Sequence, residues 1–144
     1  MVFNFIKKIS KQKTKKEIYT SHEPEDFMNL SSPEELKEVM ILNHKKMWDW
    51  IYKETLKNKK KIYKLDYLST YYKQIPKELI NNCYLCTHKE MLNQNCKNCL
   101  VEWGTNYCYS FDSIYEKFIK ESKWKKCAKY AKGIRDLKIK KREL

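Results

Sequence analysis

The stretch Cys83-Tyr-Leu-Cys-Thr-His-Lys-Glu-Met-Leu-Asn-Gln-Asn-Cys-Lys-Asn-Cys99 contains two CxxC pairs separated by nine residues. This spacing lets both sulfur atoms of a pair face one metal ion from a tight turn, whose backbone N–H groups can hydrogen-bond the thiolates. The short spacer favours a compact double knuckle over a long β-hairpin ribbon. We therefore predict one structural Zn²⁺ site, with the ligands Cys83, Cys86, Cys96 and Cys99.

Three other uses of these cysteines stay open: an iron–sulfur cluster, a metal site that includes His88 or Cys108, and dithiol redox chemistry. The redox use needs a low-pKa cysteine at a helix start within a strand-rich, thioredoxin-like pattern, which the sequence does not show. Four protein thiolates leave a zinc ion no open position for water, so a catalytic zinc is disfavoured. Cys127 lies on the apolar stripe of the last predicted helix, and we expect it to be buried.

The rest of the chain favours helices, because only two Gly and three Pro interrupt 144 residues and an all-β protein needs more turn residues. Ser32-Pro33-Glu34-Glu35 predicts a helix start with a Ser cap, and this helix is expected to run to about Lys60. Its wide apolar face, which includes Leu36 and Ile51, indicates a central helix with partners on two sides. Its remaining arc is occupied by four charged residues: Lys45, Lys46, Asp49 and Lys53.

Further elements follow from periodicity and caps. A second helical pattern runs from Ile62 to Ile75, and residues 77–111 are expected to form knuckle turns with little regular structure. Asp112 and Ser122 are candidate caps of two more helices. The predicted fold is thus mainly α: one small helical domain over 32–144, stapled by a four-cysteine zinc double knuckle at 83–99. Residues 1–31 are expected to form a loosely attached basic arm.

The formal net charge is +13, and Lys supplies nearly all of the positive charge. Lysine codons are AT-rich, so part of this lysine content is expected to reflect the base composition of the genome and not a binding surface. Between Lys123 and Leu144, however, ten Lys or Arg residues face two acids, which concentrates +8 of the net charge at this end. The last helix is therefore a candidate anion-binding surface through Lys125, Lys126, Lys129, Lys132 and Arg135. Plain solvation of the lysines is the alternative, as is an ion pair of Arg135 with Glu54 or another acid.

An aromatic stripe on the long helix is a second candidate ligand site. His44, Trp48 and Tyr52 recur at four-residue spacing, so the rings could stack a nucleobase while His44 contacts a phosphate or a base edge. The alternative is a packing face against the Ile62–Ile75 helix. Asn43 and Glu54 lie within the apolar stripe, where each needs a polar partner.

One set of motifs resembles a known group of proteins. His44-x-x-Met47-Trp48-x-Trp50-Ile51, the CxxC pair at Cys83, the CxxCLxxWG pattern ending at Gly104, and Trp124 with its following alanines occur in this order. Together they resemble a family of small uncharacterised proteins from bacteriophages and prophages of Gram-positive bacteria. The resemblance covers about residues 33–138. Family members often have Pro after the last knuckle cysteine, where this chain has Leu100. The resemblance implies a phage setting and no particular activity.

We find no enzyme signature: the chain has no glycine-rich phosphate loop, HExxH motif, nucleophile elbow or zinc-deaminase motif. No signal peptide or membrane span is recognised, which predicts a protein of the bacterial host's cytoplasm with reduced thiols and no membrane partner. We therefore expect a non-enzymatic, zinc-stabilised basic phage accessory protein that binds nucleic acid or a nucleotide, with counter-defence as a candidate role. The alternative is a protein–protein inhibitor of a host defence complex such as a CRISPR nuclease.

Overall fold

The long central helix begins where the cap residues predict. In the computed structural model, which describes Tyr19 and residues 21–92, 99–104 and 108–140, helix α1 spans Pro33–Asn58. The Ser32 Oγ accepts a hydrogen bond from the Glu35 backbone N–H at 3.2 Å, which satisfies one of the free donors of the first turn. The helix ends with Lys59 in the left-handed region (φ 54°), whose N–H donates to the Thr55 carbonyl.

Four shorter α-helices and one 3₁₀ turn follow in the described part of the chain. Their bounds are Lys64–Tyr71 (α2), Ile80–Asn82 (3₁₀), Tyr84–Met91 (α3), Ile114–Lys120 (α4) and Trp124–Arg135 (α5). The described residues form no β-strand. An isolated antiparallel β-bridge joins Val101 and Ile139. The expectation of a mainly α fold is confirmed.

The observed helices correct several sequence expectations. Helix α2 is shorter than the predicted Ile62–Ile75 pattern, and α3 lies where turns alone were expected. The cap of α4 is Ser113, one residue after the predicted Asp112, and its hydroxyl accepts from the Glu116 N–H at 3.0 Å. The cap position of α5 is Lys123, which makes no side-chain cap bond, instead of Ser122.

The core forms around α1, as its wide apolar face predicted. Val39, Met40 and Ile51 are fully buried, and α5 packs along α1 through a stripe of small and aliphatic side chains. On one side the ring of Trp48 meets Phe118 of α4 edge-on at 5.0 Å. On the other side Trp50 meets a tyrosine of α2 at 5.5 Å. The stripe that contains Trp48 therefore contacts α4, and the ring contacts with α2 belong to Trp50.

The segment before α1 packs onto the helix. The side-chain amide of Asn43 donates to the Glu25 carbonyl at 2.9 Å, and its oxygen accepts from the Glu25 N–H at 2.8 Å. Phe27 is buried in the core. Asn43 thus has the partner that its buried position required. Residues 1–18 and 20 of the expected arm lie outside the described residues, and residues 21–31 include these contacts with α1.

This segment also covers part of the charged arc of α1. Lys46 is buried, and its ammonium group donates to the Glu23 carbonyl at 2.8 Å and pairs with the Glu25 carboxylate at 3.1 Å. Asp49 is fully buried and binds the His22 ring at 2.6 Å. The burial of these two residues was not predicted, because periodicity alone does not reveal that another segment covers the helix.

Candidate functional site

A left-handed turn places the first cysteine pair at the start of α3. Asn81 and Asn82 both have positive φ (53° and 52°), a conformation that Asn tolerates better than most residues. Cys83 follows as the cap residue of α3, and its Sγ accepts a hydrogen bond from the Cys86 backbone N–H at 3.3 Å. This N–H···S bond is of the kind that supports a metal-bound thiolate in a knuckle.

Three segments of the chain bring their cysteines to one place. The Cys86 thiol is hydrogen-bonded to the thiols of Cys83 and Cys108, and Cys99 lies close enough to Cys83 for their charges to interact. These cysteines carry no disulfide. The fourth predicted ligand, Cys96, lies outside the described residues. Cys108, which the CxxC spacing did not single out and which the sequence analysis named only as an alternative ligand, is a member of this cluster.

Cys99 is held by donors from its own segment. The indole N–H of Trp103 donates to Cys99 Sγ at 3.2 Å, and the Val101 backbone N–H donates to the same sulfur. The bridge to Ile139 fixes this segment, with bonds of 2.8 and 2.9 Å between its backbone and that of residues 138–140. Two N–H groups therefore donate to Cys99 Sγ, an arrangement that also stabilises a thiolate.

A cavity of about 20 Å³ lies within the cluster. It is lined by Leu85, Cys86, Lys89, Cys99, Trp103 and Cys108. Its volume is close to that of a single water-sized sphere. No group of three or more His, Cys, Asp or Glu side chains within the described ranges is already arranged to hold a metal ion. His88, the other open ligand candidate, is buried in α3 and does not line this cavity.

The pKa values of Cys83, Cys86 and Cys99 lie above the ordinary value of a thiol. Hydrogen bonding to Cys86 and burial raise the pKa of Cys83 well above its ordinary value. The hydrogen bond to Cys108, with burial as a further cause, raises the pKa of Cys86 to about 11. Burial likewise raises the pKa of Cys99. Cys83, Cys86 and Cys99 are therefore protonated at neutral pH unless a cation compensates the charge of their thiolates, which disfavours a role as redox nucleophiles.

The aromatic stripe is divided between two environments. His44 and Trp48 are buried and line a larger cavity of about 190 Å³ beside the cysteine cluster, together with Trp103 and Tyr115. Tyr52 does not line this cavity. Its ring instead contacts Arg135, whose guanidinium carbon lies 5.4 Å from the ring centroid. The three residues thus do not form one platform.

His44 is neutral in its buried position. Burial, with the nearby charge of Lys45, lowers the pKa of His44 to about 3, and its Nε2 lies 3.4 Å from the Ile134 carbonyl oxygen. A neutral imidazole brings no positive charge to a phosphate, so the expected phosphate contact of His44 is not supported.

Arg135 forms the predicted ion pair, but with other acids than Glu54. Its Nη1 lies 2.7 Å from Asp49 Oδ1, and its Nε and Nη2 bind both carboxylate oxygens of Asp136 at 2.7 and 2.9 Å. Asp49 also pairs with Lys53 at 2.9 Å. The guanidinium is thereby occupied, which removes Arg135 from the candidate phosphate ligands.

The four lysines of α5 lie on its exposed face. Lys125, Lys126, Lys129 and Lys132 are all exposed, while Cys127, Ala128, Ala131 and Ile134 of the same helix are buried. None of the four lysines pairs with a carboxylate of the described residues within 4.0 Å, and the cation of Lys125 lies 5.6 Å from the Trp124 ring. This face remains accessible to an anionic ligand.

An exposed apolar groove between α2 and α4 was not predicted. Tyr63, Leu65 and Ile119 line it and are 54, 53 and 47% exposed. Outside this groove, Tyr109 and Phe111 are also exposed. A helical pattern gave no signal for this groove, because it forms between helices distant in sequence.

No protein-family model matches the chain, and neither a curated protein nor a solved structure matches it significantly. No helix among the described residues is long and apolar enough to span a membrane.

Proposed function

We propose that this chain is a non-enzymatic, zinc-stabilised protein that binds nucleic acid or a nucleotide through the lysine face of α5. The supporting observation is the division of α5 into a buried apolar half and an exposed lysine half. The buried half fixes the helix on α1, so the lysines occupy a rigid surface. Clustered cations on such a surface produce a field that attracts phosphates.

The ligand chemistry follows from what this face contains. Lysine ammonium groups act as point charges and suit phosphates without reading base sequence, whereas bidentate recognition needs a free arginine. Because Arg135 is engaged by two carboxylates, the expected binding is electrostatic and only weakly sequence-specific. Its affinity should therefore fall steeply with salt as counterions are released.

The test compares two quadruple variants with equal charge change. In the first, Lys125, Lys126, Lys129 and Lys132 become Glu; in the control, the exposed lysines Lys57, Lys60, Lys73 and Lys77 become Glu. Fluorescence anisotropy with labelled duplex, single-stranded nucleic acid and nucleotides is measured over a salt series. The α5 variant should lose binding and the control should retain most of it. Equal loss in both variants would show that only net charge matters.

The zinc part of the proposal is supported by the clustered thiols and by the N–H···S bonds to Cys83 and Cys99. When bound, zinc would compensate the thiolate charge, and its binding free energy would add to folding free energy. The purified protein should contain about one zinc per chain. Cys83→Ser or Cys99→Ser should unfold it, while stoichiometric iron or an intact fold after complete chelation would refute this part.

The exposed groove formed by Tyr63, Leu65 and Ile119 favours a second candidate function, an inhibitor that binds a host defence protein. Exposed apolar patches rimmed by polar groups are typical of protein interaction sites. In the phage setting that the sequence resemblance implies, the partner would be a defence complex such as a CRISPR nuclease. A pull-down from host cells, with and without nuclease treatment, separates the candidates: a partner retained after nuclease treatment supports the inhibitor, and loss of all partners supports nucleic-acid binding.

A further inference from the structure

The larger cavity, of about 190 Å³, has aromatic rings along its walls. The rings of Trp48 and Trp103 each lie near that of Tyr115, with centroids 6.0 and 6.2 Å apart. The ring of His44 meets that of Trp103 edge-on at 6.4 Å. An engineered cavity of about 150 Å³ binds benzene, whereas drug-sized ligands occupy roughly 300–1,000 Å³. The cavity therefore suits a small planar ligand of one or two fused rings.

His44 contributes a buried acceptor that has no partner. Its Nε2 lies 3.4 Å from the Ile134 carbonyl oxygen, which can only accept, so Nε2 carries the proton of the neutral ring. Nδ1 is then an acceptor, and it is buried without a hydrogen-bond partner among the described residues. An unpaired buried acceptor destabilises the folded state. An N–H group of a ligand in the cavity would remove this cost.

The charges around the cavity favour a ligand that carries a phosphate. Lys64 is the one Lys or Arg among the described lining residues, and none of those residues is an Asp or Glu. Its ammonium group donates to the Asn81 carbonyl at 3.0 Å and lies 4.7 Å from the centroid of the Tyr115 ring. It pairs with no acid of the described residues. Lys64 is only partly buried, so an anionic group can approach it from solvent.

We propose that this cavity binds a single adenine base, of a free nucleotide or of single-stranded nucleic acid, with the phosphate at Lys64. The exocyclic amine of adenine donates to His44 Nδ1, and the aromatic walls contact the ring. Adenine fits better than the other three common bases, because it has no carbonyl oxygen that burial would leave without a donor. None of the four lysines of the α5 face lines the cavity, so this site is additional to that face.

The first experiment is isothermal titration calorimetry of the full chain with ligands that differ in one feature each. Adenosine monophosphate should bind at one site, and ribose phosphate, which has no base, should not bind there. Purine riboside monophosphate lacks only the exocyclic amine. It should bind about tenfold more weakly, because its complex leaves the buried acceptor unpaired. Single-stranded oligoadenylate separates the two sources: tighter binding than the monophosphate identifies nucleic acid, and equal or weaker binding identifies the free nucleotide.

The second experiment removes the acceptor. His44→Phe keeps a planar ring and should bind adenosine monophosphate and purine riboside monophosphate equally, about tenfold more weakly than the parent binds the former. Thr55→Val is the matched control, because it also removes an unpartnered buried polar atom of α1, and Thr55 does not line the cavity. This control should keep the parent's preference. Circular dichroism checks the fold, and if His44→Phe does not fold, the ligand series with the parent alone decides.

Three results would overturn the inference. The first is a parent protein that does not bind adenosine monophosphate, or binds it no better than purine riboside monophosphate. The second is binding that the quadruple α5 variant loses and His44→Phe retains, which would assign the nucleotide to the lysine face and support that proposal alone. The third is binding of N-acetyltryptophanamide in place of the nucleotide, which would assign the cavity to an aromatic side chain of a protein partner.

Discussion

The buried carboxylate of Asp49 offers a sharp test of what attaches the N-terminal segment to the helices. It has no solvent exposure and is bound by His22, Lys53 and Arg135 at 2.6, 2.9 and 2.7 Å. Asp49→Asn keeps the shape and removes the charge. Breaking a buried ion pair by removal of one partner costs about 3–5 kcal/mol. Because Arg135 keeps both bonds to Asp136, we expect the lower end, about 3 kcal/mol at neutral pH.

The acid dependence follows from the pKa of the same group. Burial raises the pKa of Asp49, but the hydrogen bonds from its three partners outweigh this and lower it from 3.8 to about 2. The charge therefore stabilises the folded state fully above pH 3.8, and this contribution is lost as the pH falls towards 2. The shift corresponds to about 2 kcal/mol. The stability difference between parent and variant should shrink from about 3 to about 1 kcal/mol over that range.

Urea unfolding followed by circular dichroism at a series of pH values measures both quantities. Asp112→Asn, the same change at an exposed site, is the control and should alter stability little at any pH. Loss of metal in acid affects parent and variant alike, so it cancels in their difference. A destabilisation below about 1 kcal/mol at neutral pH, or one that does not change with pH, would refute the reasoning.

Substitutions at three further places test local packing. A Cβ at Gly133 would lie 2.3 Å from the terminal methyl of Ile114. Gly133→Ala should therefore lower the thermal midpoint of unfolding, although Ala is favoured over Gly in a helix by roughly 1 kcal/mol. Adding Ile114→Val to Gly133→Ala should recover much of that loss. If the effects of the two single variants simply add in the double variant, the clash is contradicted. Ser113→Ala should cost about 1–2 kcal/mol in urea unfolding, because one hydroxyl serves both a helix cap and a loop carbonyl; a change under about 0.5 kcal/mol would contradict that double role. The hydroxyls of Tyr72 and Tyr84 are 2.9 Å apart, so either Phe variant should cost about 1–3 kcal/mol and the double variant less than the sum; an additive double-mutant cycle would exclude their coupling.

The start of α1 could be predicted because its determinants are local. Ser32 caps the helix and Pro33 occupies its first position, and both effects operate within one turn. The ion pair of Arg135 was also predicted, since an arginine among apolar neighbours needs an acid. Its partner was not, because Asp49 is 86 residues away in the sequence and belongs to no motif.

The surroundings of α1 were harder to predict. Asn43 and Lys46 meet Glu25, which lies 18 and 21 residues earlier, in a segment that shows no helical or strand period. Without a period, no local pattern indicates that this segment covers a helix. Cys108 was left uncertain for a similar reason: its approach to Cys86 depends on how α4 docks, whereas the CxxC spacing reports only on neighbours along the chain.

Lys61 shows that the formal charge of this protein exceeds the charge that is free to act. Its ammonium group donates to the carbonyl oxygens of Phe118, Ile119 and Glu121 at 2.8, 3.0 and 2.8 Å, at the end of α4. Lys45 likewise donates to the Arg135 carbonyl at the end of α5, at 2.9 Å. Three carbonyls around one nitrogen suit a compact ammonium and not a planar guanidinium. If the base composition of the genome drifted towards arginine codons, replacement of lysine by arginine would therefore be tolerated on the exposed face of α5. The same replacement at Lys61 would be destabilising.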